Sequence, residues 1–163
     1  VSSKIEFNIF GILEDIHYWD LCSKKMQTLP KNVEVQYRGE LVHSDVPDVL
    51  RHYDLLLFPT RGENYGHVIA EALSAGVPVL ISDQTPWKEL EKEGVGWDLP
   101  LSIGPQGFAR LIDQQGDTIL KNRSEWRTRC VAYARRRLED PAIVDANLEL
   151  FRVAVAMNMK MQS

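Results

Sequence analysis

The stretch LLLFPTRGENYGHVIAEALSAGVPVLISD, near the middle of the chain, constrains the fold more than any other. Its first run, Leu55 to Phe58, is wholly apolar, which is typical of a strand buried on both faces of a parallel sheet. The segment from Gly66 to Ala75 has helical hydrophobic spacing, and Gly76 predicts its end. A second apolar run, Val79 to Ser82, completes a crossover of strand, helix and parallel strand.

The remaining sequence alternates strand and helix patterns in the same way. Further strands are predicted at 5–10, 33–37 and 94–99. Helices are predicted at 18–29, 47–52, 87–93, 105–116 and 124–139, with a final helix from 141. We expect Ser44 and Ser124 to cap the helices that follow them. This order predicts an α/β fold, a Rossmann-like doubly wound parallel sheet with additional C-terminal helices, in one domain over residues 1–163.

Two acidic residues belong to the central crossover, Glu63 in the loop and Glu71 on the helix. Glu71 follows Gly66 by about 7.5 Å along the helix axis, and helical side chains lean toward the N-terminus, so Glu71 can reach back toward the strand ends. Unpaired amides at the helix start attract anions, whereas carboxylates accept hydrogen bonds from sugar hydroxyls. The pattern therefore predicts a ligand with phosphate in its middle and hydroxyl groups at both ends, as in a nucleotide sugar.

These residues resemble the signature of glycosyltransferase family 4, also called glycosyl transferases group 1, whose members are retaining enzymes of the two-domain GT-B fold. The matching motifs are Glu63, Gly66, Glu71-Ala72, Gly76-Val77-Pro78-Val79 and Ser82-Asp83. The resemblance implies that the chain is the donor-binding half of a hexosyltransferase. Such an enzyme moves a sugar from a nucleotide-sugar donor, most often UDP- or GDP-linked, to a glycan, lipid or other acceptor, with no cofactor and no metal.

The resemblance also implies a role for each site residue. Glu63 is expected to be catalytic by orienting the donor sugar, and Glu71 to bind the ribose. Gly39 and Leu41 are expected to contact the base through backbone groups, with an ordinary turn as the open alternative. Contacts to the donor sugar and diphosphate are expected from Asn64, Tyr65, Gly66, His67 and Val68. For His67, a surface position at the helix start is an equal alternative.

The sequence departs from the family pattern directly after the central crossover. Where the family commonly has two glycines after Ser-Asp, this chain has Thr85 and Pro86, while Glu89 keeps the acidic position. We therefore expect a different loop conformation here.

The family also directs an Arg and a Lys at the diphosphate from a segment before the first strand. We expect these residues, and the N-terminal acceptor domain of the same enzyme, to precede this chain. The chain alone is therefore expected to bind donor weakly and not to turn over.

Composition limits the classes of partner. The net charge of −4 argues against a general nucleic-acid surface. No apolar run approaches the roughly 20 residues that span a bilayer, so any peripheral membrane association is expected only through polypeptide outside this chain. Cys22 and Cys130 have no metal-ligand spacing, which favours buried, reduced thiols and a cytoplasmic location.

Two other classes of protein remain open on the sequence alone. A nucleotide-sugar epimerase of the same architecture would also bind a sugar nucleotide, although the paired acids favour transfer. A non-catalytic, flavodoxin-like regulatory module would need a phosphoacceptor aspartate near the end of an early strand, and Asp15 lies well past the Gly11 turn.

Overall fold

The computed structural model describes residues 4–138, which form five parallel strands with helices on both faces. The strands are β1 (Ile5–Ile9), β2 (Val33–Tyr37), β3 (Leu56–Phe58), β4 (Val79–Ser82) and β5 (Gly96–Leu99). The α-helices are α1 (Ile16–Met26), α2 (Val46–Leu50), α3 (His67–Ser74), α4 (Gly104–Lys121) and α5 (Arg123–Leu138). Short 3₁₀ helices span His43–Asp45 and Leu101–Ile103. The predicted α/β class is confirmed, and the helix predicted from residue 141 lies outside the described residues.

The described strands form two hydrogen-bonded sheets, both parallel. β1 pairs with β2, so that Ile5 lies opposite Val33. The second sheet has the order β3-β4-β5, with Val79 of β4 between Leu56 and Gly96. Within residues 4–138, β1 and β3 do not pair with each other.

β4 lies at the centre of the larger sheet, and its side chains alternate between two hydrophobic clusters. Val79 and Ile81 face the cluster formed with α3 and α5, whereas Leu80 faces the cluster formed with α4. The first cluster includes Ile69, Leu73, Trp87, Leu90, Val95, Cys130 and Tyr133, and the second includes Trp97, Phe108, Ile119 and Trp126. Helices therefore cover both faces of β4, which agrees with the apolar run Val79 to Ile81.

The end of α3 agrees with its prediction. Gly76 adopts a φ of 80°, its N–H donates to the Leu73 carbonyl at 3.0 Å, and the Val77 N–H donates to the Ala72 carbonyl at 2.8 Å. This pair of bonds is a Schellman motif, which needs a left-handed residue at the Gly76 position. The chain can thus turn directly from α3 into β4.

The helix predicted at 87–93 is wrong, because residues 87–89 have no regular structure and residues 90–94 form turns. The Asp98 carboxylate accepts the Glu89 N–H at 3.2 Å and the Leu90 N–H at 3.0 Å. Glu89 also adopts a φ of 59°, outside the helical range. The Asp98 side chain, which follows this segment in the chain, thus binds two of its amides in a non-helical arrangement.

Both predicted serine caps are wrong as well. Ser44 lies inside a 3₁₀ helix and donates to the Asp45 carboxylate at 3.0 Å. Ser124 lies inside α5, because α4 continues to Lys121 and leaves no loop before α5 begins. The Trp126 N–H instead donates to the Asn122 carbonyl at 3.0 Å.

The two cysteines differ in burial. Cys130 is fully buried beneath β5, and burial raises the pKa of its thiol to about 12. Cys22 on α1 is only half-buried, so the predicted burial holds for Cys130 alone. Because a thiol with so high a pKa stays protonated at neutral pH, Cys130 is an inert core residue.

Gly96 offers a test of how closely β4 and β5 pack. A Cβ at Gly96 would lie 2.1 Å from the Val79 carbonyl oxygen, so the two backbones would have to separate. We expect Gly96→Ala to lower the free energy of unfolding by about 3 kcal/mol. The matched control is Gly116→Ala in α4, where the new Cβ would meet no described atom within 4 Å. It should raise stability by about 0.5 kcal/mol.

Urea unfolding of the two variants and the parent chain measures both effects. Equal stability of the two alanine variants would contradict the close packing of β5 on β4.

Candidate functional site

The candidate site lies at the carboxyl ends of β3 and β4, where open parallel sheets bind ligands. Two contacts join the loops that follow these strands. The Glu63 N–H donates to the Gln84 carbonyl at 3.1 Å, and the Ser82 hydroxyl donates to the Thr60 carbonyl at 2.5 Å. The loop that carries Glu63 is therefore held against the next strand.

The start of α3 faces this edge of the sheet. Gly66 precedes the helix with a φ of 80°, and its carbonyl accepts from the N–H groups of Ile69 and Ala70. Among residues 4–138, no side chain caps the start of α3. The amides of His67 and Val68 precede the first bonds within the helix, so they present the positive end of the helix dipole.

The two predicted acids lie on either side of this helix start along the chain. Glu63 is half-buried, and its carboxylate accepts the Tyr65 N–H at 3.4 Å, which directs it toward the helix. Glu71 lies one turn inside α3, and its side chain is 21% exposed. Both carboxylates are thus partly shielded from water yet reachable by a ligand.

The other predicted site residues differ in exposure. Asn64, Tyr65 and His67 are exposed, Val68 is half-buried and Gly66 is buried. The rings of Tyr65 and His67 lie against each other, with 4.7 Å between their centroids. Two exposed rings therefore flank the uncapped amides.

His43 belongs to this site, although no motif or spacing in the sequence predicts it. Its Nδ1 lies 3.3 Å from the Glu71 carboxylate, while its side chain is 89% exposed. His43 follows Leu41 by two residues, so this contact joins the segment after the predicted base loop to α3. The packing of α2 on α3 places the two segments in reach of each other.

Trp87 is buried and supports the segment that precedes α3. Its side chain is 2% exposed, and its indole N–H donates to the Tyr65 carbonyl at 2.6 Å. Arg137 lies over the Trp87 ring, 4.7 Å from the centroid, and also donates to the Pro86 carbonyl. An exposed arginine of α5 therefore contacts the side chain that holds the segment before α3.

Within residues 4–138, no group of three or more His, Cys, Asp or Glu side chains could hold a metal ion. None of the helices described is long and apolar enough to cross a membrane.

The fold and this site together define an α/β domain with an uncapped helix start at the carboxyl edge of the β3-β4-β5 sheet. Residues 2–137 match the family model described as Glycosyl transferases group 1. The chain belongs to this family, and the predicted family is confirmed. The match gives no support to the epimerase or the regulatory module.

Two curated relatives are similar to the chain. The lipopolysaccharide core biosynthesis mannosyltransferase LpsB of Rhizobium meliloti (strain 1021) is 32% identical over 71 residues, which cover 44% of this chain and 20% of the relative. A protein described as "Uncharacterized 41.2 kDa protein in cps region" of Klebsiella pneumoniae is 23% identical over 150 residues, covering 92% of this chain and 38% of the relative. The chain thus spans less than two fifths of the length of these relatives.

A substitution at Gly66 tests how closely the start of α3 is packed. A Cβ at Gly66 would lie 2.8 Å from Ile69 Cδ1 and 3.1 Å from Trp87 Nε1, in a left-handed backbone conformation. We expect Gly66→Ala to lower the free energy of unfolding by about 2 kcal/mol. Gly62 in the same loop is the control, because a Cβ there would meet no described atom within 4 Å.

Chemical denaturation of both variants checks the comparison. If Gly66→Ala proved as stable as Gly62→Ala, the positioning of the helix start by Trp87 would be incorrect.

Proposed function

We propose that this chain is the donor-binding half of a retaining glycosyltransferase, which transfers a sugar from a nucleotide-sugar donor to a glycan, lipid or other acceptor. The observation that carries the proposal is the uncapped start of α3 between Glu63 and Glu71. Membership of the family supports glycosyl transfer. LpsB is described as a mannosyltransferase, which supports a hexose as the transferred sugar.

The diphosphate of the donor would lie over the amides of Gly66, His67 and Val68. This position pairs the two phosphate charges with about half an elementary charge at the helix start. Tyr65 and His67 are exposed beside it, so their polar atoms can donate to phosphate or sugar oxygens. The phosphates are held in this way without a cluster of basic side chains, consistent with the acidic net charge of the chain.

The nucleoside would extend from the diphosphate toward β2. Glu71 would accept hydrogen bonds from the ribose hydroxyls, and the base would lie along Gly39 and Leu41. The contact between His43 and Glu71 supports this placement, because it joins the two parts of the proposed nucleoside site. A UDP- or GDP-linked donor is proposed.

The donor sugar would extend in the opposite direction, toward Glu63 and Asn64. Glu63 would orient the sugar by accepting hydrogen bonds from its hydroxyls. Because the Glu63 loop is tied to Gln84, the carboxylate would be positioned before the donor arrives.

The transfer itself breaks the bond between the anomeric carbon and the diphosphate oxygen, and the electron pair leaves with the diphosphate. The acceptor hydroxyl forms the new bond on the same face of the sugar, and its proton passes to the departing phosphate oxygen. The helix amides stabilise the added negative charge on the leaving group as fixed dipoles. This mechanism requires neither a metal ion nor a cofactor.

The acceptor would bind in the N-terminal domain of the same enzyme, beyond this chain. We therefore expect the chain alone to bind donor weakly and to show no turnover. Calorimetry with UDP-, GDP- and ADP-sugars, and a transferase assay, would compare the chain with the longer enzyme. Robust turnover by the chain alone would refute this part of the proposal.

Glu71 provides the sharpest test of the nucleoside site. In the longer enzyme, Glu71→Gln should weaken the binding of the matching nucleoside diphosphate by roughly 10- to 100-fold, because hydrogen bonds to a charged acceptor are lost. Inorganic pyrophosphate has no ribose, so its affinity should stay the same or increase. Titration calorimetry measures both affinities.

The matched control is Glu125→Gln, which removes a carboxylate from the first turn of α5. That turn lies at the opposite end of the sheet, where Arg123 pairs with Asp54 just before β3. Neither ligand should respond to this change. If Glu71→Gln weakened both ligands equally, or neither, the ribose role of Glu71 would be rejected.

A further inference from the structure

His43 lies at the edge of the candidate site, on a segment that the hydrophobic core holds in place. It begins the short 3₁₀ helix His43–Asp45, which leads directly into α2. Leu50 of α2 belongs to the buried cluster that includes Ile69 of α3, and Val46 packs against the same cluster. The position of His43 relative to α3 is therefore set by the packing of two helices.

This packing brings one atom of His43 to the Glu71 carboxylate. The Nδ1 atom of His43 lies 3.3 Å from Oε1 of Glu71. A carboxylate has two oxygens and about four acceptor positions, so a donor on one oxygen leaves the other oxygen free. His43 can therefore hold Glu71 while Glu71 accepts hydrogen bonds from a ligand.

The contact contributes little to the stability of the fold. The His43 side chain is 89% exposed, whereas the Glu71 side chain is 21% exposed. Ion pairs with so exposed a partner add little to the free energy of unfolding. The main effect of the contact is therefore on the orientation of the Glu71 carboxylate, which is the shielded member of the pair.

His67 is the other histidine near Glu71, because it lies four residues earlier on the same face of α3. Its ring instead lies against Tyr65, with 4.7 Å between the two centroids. The first turn of α3 has no acidic residue, and its last turn has no basic residue. Within residues 4–138, His43 is the only side chain that forms an ion-pair contact with Glu71. The orientation of this carboxylate therefore depends on His43.

We propose that His43 is a positioning residue for the nucleoside, because it orients the Glu71 carboxylate toward the ribose before the nucleotide binds. The inference rests on the ribose role proposed for Glu71. The Nδ1–H of His43 donates to Oε1, and Oε2 accepts hydrogen bonds from the ribose hydroxyls. A carboxylate that is already oriented loses less conformational entropy on binding, so the affinity for the nucleoside increases.

Titration calorimetry with the longer enzyme tests the proposal. UDP, GDP and ADP are titrated into the parent enzyme, and the one that binds most tightly is used for every variant. His43→Ala should weaken its binding roughly 5- to 10-fold, because an oriented charged acceptor is lost. Inorganic pyrophosphate has no ribose, so its affinity should not change.

The matched control is His52→Ala, which removes another exposed histidine just after α2. The Nδ1 atom of His52 contacts the Asp48 carbonyl at 2.8 Å and does not contact Glu71. This variant should bind the nucleotide and pyrophosphate as the parent does.

Three further variants separate a positioning role from a merely structural one. His43→Asn places an amide N–H close to the position of Nδ1, so it should restore most of the affinity that His43→Ala loses. His43→Gln places its amide close to the position of Nε2 and should restore less. In the Glu71→Ala background, His43→Ala should change the affinity by less than about 2-fold, because the group that it orients is gone.

Several results would overturn the proposal. If Glu71→Ala weakens nucleotide binding and His43→Ala does not, His43 has no positioning role, while the ribose role of Glu71 stands. The proposal also fails if His43→Ala weakens binding equally with and without Glu71, weakens pyrophosphate to the same extent, or if His43→Asn binds no better than His43→Gln. If none of the three nucleotides binds the parent enzyme, or Glu71→Ala has no effect, the proposed function fails and this inference fails with it.

Discussion

The burial of β4 between two helical layers is the constraint on which the rest of the structure depends. All four of its residues are buried, including Ser82 at its carboxyl end. β3 and β5 pair with it on either side, and α3 enters it through the Gly76 turn. The strand therefore fixes the positions of both loops of the candidate site. Its close contact with Gly96 shows how little space this arrangement leaves.

A row of arginines ties α5 to the segments that precede β3 and β5, at the end of the sheet opposite the candidate site. Arg123 pairs with Asp54 before β3, Arg127 donates to the Arg51 carbonyl, and Arg136 pairs with Glu93. Exposed ion pairs of this kind each contribute little to stability. The contact of Arg137 with Trp87 has a different consequence, because Trp87 holds the peptide that precedes α3. Helix α5 thus contacts, through Arg137, the tryptophan that holds the start of α3.

Local sequence rules predicted the elements whose causes are local. The apolar runs became β3 and β4, and the glycine at position 76 ended α3, because strand burial and left-handed turns depend on residue type. The same rules failed at residues 87–93, where the Asp98 carboxylate accepts hydrogen bonds from the N–H groups of Glu89 and Leu90. They also failed at Ser44 and Ser124, where neighbouring helices extend further than their own periodicity indicates. His43 was missed because nothing in its spacing relates it to Glu71.

The sequence by itself determined the α/β class, the central crossover, the family and the two acids around a glycine at the helix start. These follow from periodicity, residue type and short fixed spacings, all of which act within about 30 residues. The tertiary structure decided that Trp87 supports that helix start, that His43 contacts Glu71, and that β1 and β3 do not pair within residues 4–138. These relations join residues far apart in the chain, and their geometry depends on how whole helices and strands pack against one another.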